Sequence, residues 1–166
     1  MTASRRPALS GAESRPLFHL AVATVFGIGY VPIASGTFGA AAGLVLWWLL
    51  PPTAMAQAIA ILLLLALGWW SGTVAERHFR TNDPSEVVVD EVMGMLITLF
   101  MNPVGWRGAL VGFLLFRAAD VVKPFPANRL ERLPGGLGVM ADDGMAAIYA
   151  NLALRASLAI WHLVIR

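Results

Sequence analysis

The sequence predicts an all-α fold: a compact, membrane-embedded helical bundle in which several helices are short or re-entrant. Three observations carry this. Hydrophobic residues make up 58% of the 166 and charged residues 13%, against roughly 45–50% and about 25% in soluble domains. Mean hydropathy is +0.70. The apolar stretches are rich in Leu, Ala, Met, Trp and Gly, are separated by Pro- or Gly-bearing turns, and show no period-two alternation, so helices account for them better than strands.

Residues 1–16 form a polar, basic stretch with Arg5, Arg6 and Arg15, read as a disordered cytoplasmic tail; residues 17–166 are read as a single domain. A signal peptide is the competing reading of the start. Cleavage after "IASG" would cut into further apolar sequence, which argues against it. Apolar segments then cover residues 17–34, 38–50, 54–74, 87–101, 109–122 and 145–165. Only the third and the last supply the about 20 apolar residues of a full membrane span. The others must tilt, re-enter or pack against neighbours. If the first crossed the bilayer and the second crossed back, the basic tail would lie outside, so the first is expected to be interfacial or re-entrant.

In "SEVVVDEVMGMLITLFM", Asp90 and Glu91 stand together near the start of an apolar helix. An antiparallel return through "NPVGWRG" brings Asp120 to the same end, and a loop over residues 123–141 delivers Asp142 and Asp143 at the start of the last helix. Five of the ten acidic residues thereby converge on one end of the bundle. Crowded without a cation they repel and raise one another's pKa values. A hard divalent cation relieves that repulsion, and Mg²⁺ prefers a few carboxylates with water and phosphate oxygens. The alternative is a set of helix caps, since acids suit helix N-termini. Arg77, Arg80, Lys123, Arg129 and Arg132 flank the acidic end, which the positive-inside tendency places in the cytoplasm.

Arg117, Asp120 and Lys123 recur every third residue in "FRAADVVKPFP" and share a helical stripe. A guanidinium fork and a lysine point charge are the usual means of holding a phosphate beside a metal. An Arg117–Asp120 salt bridge with a snorkelling Lys123 is the plainer reading. The Gly-rich turns "ASGTFGA" and "PGGLGVMADDG" each precede a helix, where backbone N–H groups can meet an anion. Thr37 adds a hydroxyl that suits either a phosphate or a helix cap. Arg155, inside the last segment, needs a carboxylate partner or a route to the interface.

Four ordered blocks, "SGTFGA", "VVVDEVMGMLITL", "FRAADVVKPFP" and "GGLGVMADDGMAAIYANL", together resemble the phosphatidylglycerophosphatase A family over about residues 20–152. The resemblance implies a Mg²⁺-dependent phosphomonoesterase of the bacterial inner membrane that converts phosphatidylglycerophosphate to phosphatidylglycerol and phosphate, acting on the cytoplasmic side. Carried over by motif, Asp90, Glu91, Asp120, Asp142 and Asp143 form the catalytic and metal-binding acids, and Gly36, Thr37, Arg117 and Lys123 bind the substrate phosphate. Ser35, Ala40 and Ala147 depart from the family's usual Pro, Ser and Gly. The chemistry left open is attack by water oriented by a carboxylate such as Glu91, or by an Asp giving an aspartyl-phosphate.

Other classes fare worse. The chain has no Cys, which excludes disulfides, thiolate metal sites and a cysteine nucleophile. A net charge of +2 without a basic, aromatic-interleaved run speaks against nucleic acid as a partner. His19, His78 and His162 lack ligand spacing for zinc. An ion transporter or channel subunit would also use membrane carboxylates, but near the bilayer midplane. A CDP-alcohol phosphotransferase is similar at "DGMAA" yet requires further acids downstream of Asp143 that are not there. Oligomeric state is not readable.

Overall fold

The computed structural model describes residues 16–164, and all but Pro16 of the basic stretch expected over residues 1–16 lies outside them. The described chain is all-helical: α1 (Leu17–Ala23), α2 (Ser35–Leu49), α3 (Ala54–Phe79), α4 (Val89–Leu99), α5 (Trp106–Val122), α6 (Ala127–Leu130) and α7 (Gly136–Val164), with a 3-10 turn at Ile28–Tyr30.

Of these, α3 and α7 are long and apolar enough to cross a membrane. At about 1.5 Å per residue, their 26 and 29 residues exceed the hydrocarbon thickness. Thr53 starts α3 by accepting a hydrogen bond from the Ala56 N–H at 3.2 Å. Leu62, Leu63, Trp69 and Trp70 on α3 and Ile160, Trp161 and Leu163 on α7 are exposed, an outer surface suited to lipid.

The first apolar segment is not one helix. The 7-residue α1 is about 10 Å long, too short to cross, and ends in three successive left-handed residues, Val25, Phe26 and Gly27.

The centre of the bundle is α4. Nine of its 11 residues are buried, so the apolar run that reads as a membrane segment is core. It packs against α2, α3, α5 and α7. The approach of α2 depends on a stripe of small residues: a Cβ on Gly39 would lie 2.9 Å from Val88 Cβ, and one on Gly43 would lie 2.7 Å from Met95 Cβ. Phe116, Met95, Leu99, Ala150 and Leu154 form one apolar cluster, and Leu20, Val87, Met93, Val139 and Met140 another.

A short helix ending inside a bundle leaves carbonyls without partners. Asn151 Nδ2 of α7 lies 3.0 Å from the carbonyl oxygens of Ile97, Thr98 and Phe100. Arg155 donates to Asn151 Oδ1 at 2.8 Å and to the Phe100 carbonyl at 3.1 Å. Arg155 thus meets its need with backbone and amide oxygens, and its charge sits at the negative end of the α4 dipole.

The connection after α5 also differs from expectation. The expected loop over residues 123–141 contains α6 and the first turn of α7, so Asp142 and Asp143 lie in the second turn of that helix and not at its start. The glycines there serve close packing: the Gly136 N–H donates to Thr73 Oγ1 at 3.0 Å, and a Cβ on Gly136 would overlap the Trp69 carbonyl of α3.

Candidate active site

Asp90 and Glu91 occupy the first turn of α4, where the positive end of the helix dipole favours carboxylates. Their position is fixed from both sides. The Val88 N–H donates to the Ala23 carbonyl of α1 at 2.9 Å, and Ser35 Oγ of α2 donates to the Ser85 carbonyl at 2.7 Å. A proline at position 35 has no hydroxyl for that second bond.

From the facing helix, Asp143 brings a third carboxylate. One oxygen from each of Asp90, Glu91 and Asp143 lies within 4.8 Å of the others. Asp90 and Asp143 are buried, and the charges of Glu91 and Asp120 both bear on Asp143. Glu91 Oε2 and Asp143 Oδ2 are buried without a hydrogen-bond partner among the described residues. An unpaired buried carboxylate oxygen is costly, and a cation is the group that satisfies several such oxygens at once. The donor set is all oxygen, with neither sulfur nor imidazole, and this fits a hard divalent ion.

Arg117 spans the next two acids. Its Nη1 bonds to Asp120 Oδ2 one turn along α5 and lies 3.8 Å from Glu91 Oε1. A Cβ on Gly36 would overlap Glu91 Oε1 and come within 2.9 Å of Arg117 Nη1. The first turn of α2 therefore closes over this pair, and no larger residue fits there without moving it.

Lys123 caps α5 in a left-handed conformation and gathers a second group of acids. Its Nζ bonds to Asp142 Oδ2 and lies 3.6 Å from Asp83 and 3.5 Å from Glu131. Burial disfavours the ammonium, but the bond to Asp142 and the surrounding charges outweigh it and raise the Lys123 pKa above the usual lysine value. Burial also raises the Asp83 carboxyl, against the pull of Lys123. Adjacent residues on α7 thus face different partners: Asp143 the acids of α4, and Asp142 the lysine of α5.

A polar cavity of about 620 Å³ opens on this arrangement. Asp90, Glu91, Asp143, Arg117, Asp120 and Lys123 line it, with Gly36 on one side and Ser85 and Glu86 on another. Asp142 reaches it only through Lys123, and Thr37 is not part of the wall. Sequence reasoning passed over Asp83, Ser85, Glu86 and Glu131. The Asp-Pro pair at 83–84, a turn signal directly before the acidic helix, was the cue for the first three.

The description Phosphatidylglycerophosphatase A belongs to the family profile that matches residues 21–158, a span containing every one of these side chains. The chain belongs to the phosphatidylglycerophosphatase A family. It is therefore related to phosphatases. Among curated relatives, a Bacteroides thetaiotaomicron protein described as "Putative phosphatidylinositol-3-phosphatase" is 37% identical over 150 residues, 84% of this chain and 94% of that protein. Phosphatidylglycerophosphatase A of Haemophilus influenzae is 35% identical over 84% of this chain and 86% of its own length. Phosphatidylglycerophosphatase A of Escherichia coli K12 is 33% identical over 81% of this chain and 79% of its own length. No solved structure matches the chain significantly.

Proposed function

We propose that this member of the phosphatidylglycerophosphatase A family hydrolyses the terminal phosphomonoester of phosphatidylglycerophosphate, giving phosphatidylglycerol and inorganic phosphate, in a bacterial inner membrane. The observation that carries the reading is the meeting of Asp90, Glu91 and Asp143, with unpartnered buried oxygens, on the wall of a cavity that also bears Arg117. Asp90, Glu91 and Asp143 would hold Mg²⁺. When bound, the ion supplies a Lewis acid that draws charge from the phosphoryl oxygens.

The side chains then divide the work. Arg117, already tied to Asp120 and Glu91, aims a planar fork at the phosphate and offsets charge that builds on its oxygens. Gly36 keeps the α2 backbone close enough to bound the phosphate on one side. Lys123 adds positive charge to the wall while its bond to Asp142 fixes α5 against α7. Water attacks phosphorus and gives one proton to a carboxylate of the set as the bond to the glycerol oxygen breaks, and that carboxylate passes the same proton to the departing glycerol oxygen.

Placement of the site on the cytoplasmic side rests on Arg77, Arg80, Lys123, Arg129 and Arg132 clustering toward the acidic end of the chain's helices. A transporter reading is disfavoured because Asp90, Glu91, Asp120 and Asp143 gather near helix ends on the wall of one cavity. The test is phosphate release by purified protein from phosphatidylglycerophosphate, with Mg²⁺ and with chelator, alongside phosphatidylinositol 3-phosphate. Release from the first, abolished by chelator, is expected. Preference for the inositol lipid would reassign the substrate, and full activity in chelator would remove the metal.

A further inference from the structure

The polar cavity has an apolar neighbour that the hydrolytic chemistry does not use. A groove of about 310 Å³ runs along α1, lined by Leu17, Leu20, Ala21, Phe26 and Tyr30. Tyr30 also lines the polar cavity, so the two spaces adjoin at its side chain. Its apolar body and polar tip suit such a divide.

The outer lip of the groove is built at some conformational cost. Val25 and Phe26 adopt φ of 48° and 55°, a region that β-branched and bulky side chains avoid. Local bonds hold them there: the Gly27 N–H donates to Thr24 Oγ1 at 3.0 Å, and the Gly29 N–H to the Thr24 carbonyl at 3.0 Å. The outcome is a Phe26 side chain 88% exposed, with Ile33 78% exposed beyond the 3-10 turn. A fixed, strained loop that presents apolar side chains beside a polar cavity is the kind of backbone found at ligand clamps.

We propose that this groove is the subsite for an acyl chain of the lipid substrate, with Tyr30 marking the passage from headgroup to hydrocarbon. The inference rests on the phosphatase reading and deepens it. A lipid whose phosphate reaches Arg117 must send its chains out of the cavity, and among the described residues the α1 groove is an apolar space that adjoins it at Tyr30. The catalytic acids act on the phosphate alone; α1 and the following loop then make the enzyme selective for a diacyl lipid over a free phosphomonoester.

Two substitutions outside the polar cavity test this. Ala21→Trp fills the groove, and Phe26→Asn removes its lip with a residue that tolerates a left-handed backbone. The kcat/KM is measured on diacyl phosphatidylglycerophosphate in mixed micelles and on the deacylated headgroup phosphate. Loss of contact with two methylenes corresponds to about tenfold. The expected result is a fall of at least about tenfold on the diacyl lipid in one or both variants, with the deacylated compound hydrolysed within about twofold of the parent rate. Equal losses on both substrates, or no selective loss in either variant, overturn the subsite while leaving the phosphatase reading intact. A diacyl lipid with a photoreactive acyl chain gives an independent readout on the parent protein. Labelling of residues 17–30 that excess phosphatidylglycerophosphate suppresses supports the subsite, and labelling that excess phosphatidylcholine suppresses equally marks a bystander lipid and overturns it. Suppressible labelling without any phosphate release removes the phosphatase reading alone.

Discussion

The carboxylate of Glu91 occupies the space that a side chain at position 36 would fill: a Cβ on Gly36 would overlap Glu91 Oε1. Gly36→Ala must therefore push Glu91, and with it Arg117, out of register. A displacement of about 1 Å costs on the order of a hundredfold in rate when groups must be aligned. A drop in kcat of about ten- to a hundredfold is expected, with a thermal midpoint within a few degrees of the parent. Unchanged kcat would show that the α2 turn does not bound the reacting groups.

Arg117 joins carboxylates of α4 and α5 through one planar group. Lysine keeps the charge but not the fork. Arg117→Lys is expected to lose most of the activity that Arg117→Ala loses, about a hundredfold or more, in phosphate-release assays. Full rescue by lysine would mean that only net charge matters.

Lys123 and Asp142 form a partly buried pair that links α5 to α7. Removing the lysine alone leaves Asp142 buried without its partner. Lys123→Met is expected to destabilise by on the order of 2–3 kcal/mol, and adding Asp142→Asn should recover more than half of this, as a double-mutant cycle in denaturation would show. The Lys123 pKa is raised on folding. Its stabilising contribution is therefore complete below the ordinary lysine value of about 10.4 and is lost as pH rises through the higher folded-state value. The gap in thermal midpoint between the parent and Lys123→Met should narrow on that alkaline limb.

The far end of α4 rests on Asn151 and Arg155. Asn151→Leu removes the donor shared by the carbonyls of Ile97, Thr98 and Phe100, which keep the Phe100 N–H, Asn102 Nδ2 and Arg155 as partners, and a loss of about 1 kcal/mol is expected. Arg155→Met should cost less, because Asn151 still caps the helix. Hydrogen exchange confined to the last turn of α4 would localise the effect.

The all-α class and the meeting of acids from three stretches were legible because both leave marks in sequence. Apolar runs without alternation give helices, and acids rare elsewhere recur at the ends of those runs. What was not legible depended on tertiary approach. Nothing local to "VVVDEVMGMLITL" says that α4 faces no lipid; its burial comes from the small-residue face of α2 and from α7 closing around it. Gly136 looked like a turn, yet it opens α7, and α3 approaches too closely there for any side chain. Arg155 looked in need of an acid or a route to the interface, and instead found carbonyls exposed by the end of a helix 55 residues away in sequence. Asp142 and Asp143 were adjacent in sequence and read as a unit, but the rotation of about 100° per helical residue sends one to Lys123 and the other to Asp90 and Glu91.

Divalent-cation binding by the purified protein, read directly by titration with Mn²⁺ as a paramagnetic stand-in for Mg²⁺ and competed with Mg²⁺, tests the acidic centre without reference to turnover. A Mg²⁺-competed site is expected in the parent and is expected to vanish in Asp90→Asn and in Asp143→Asn, while both variants stay folded because each loses a charge from a crowded, buried group. Undiminished binding in both folded variants would contradict it.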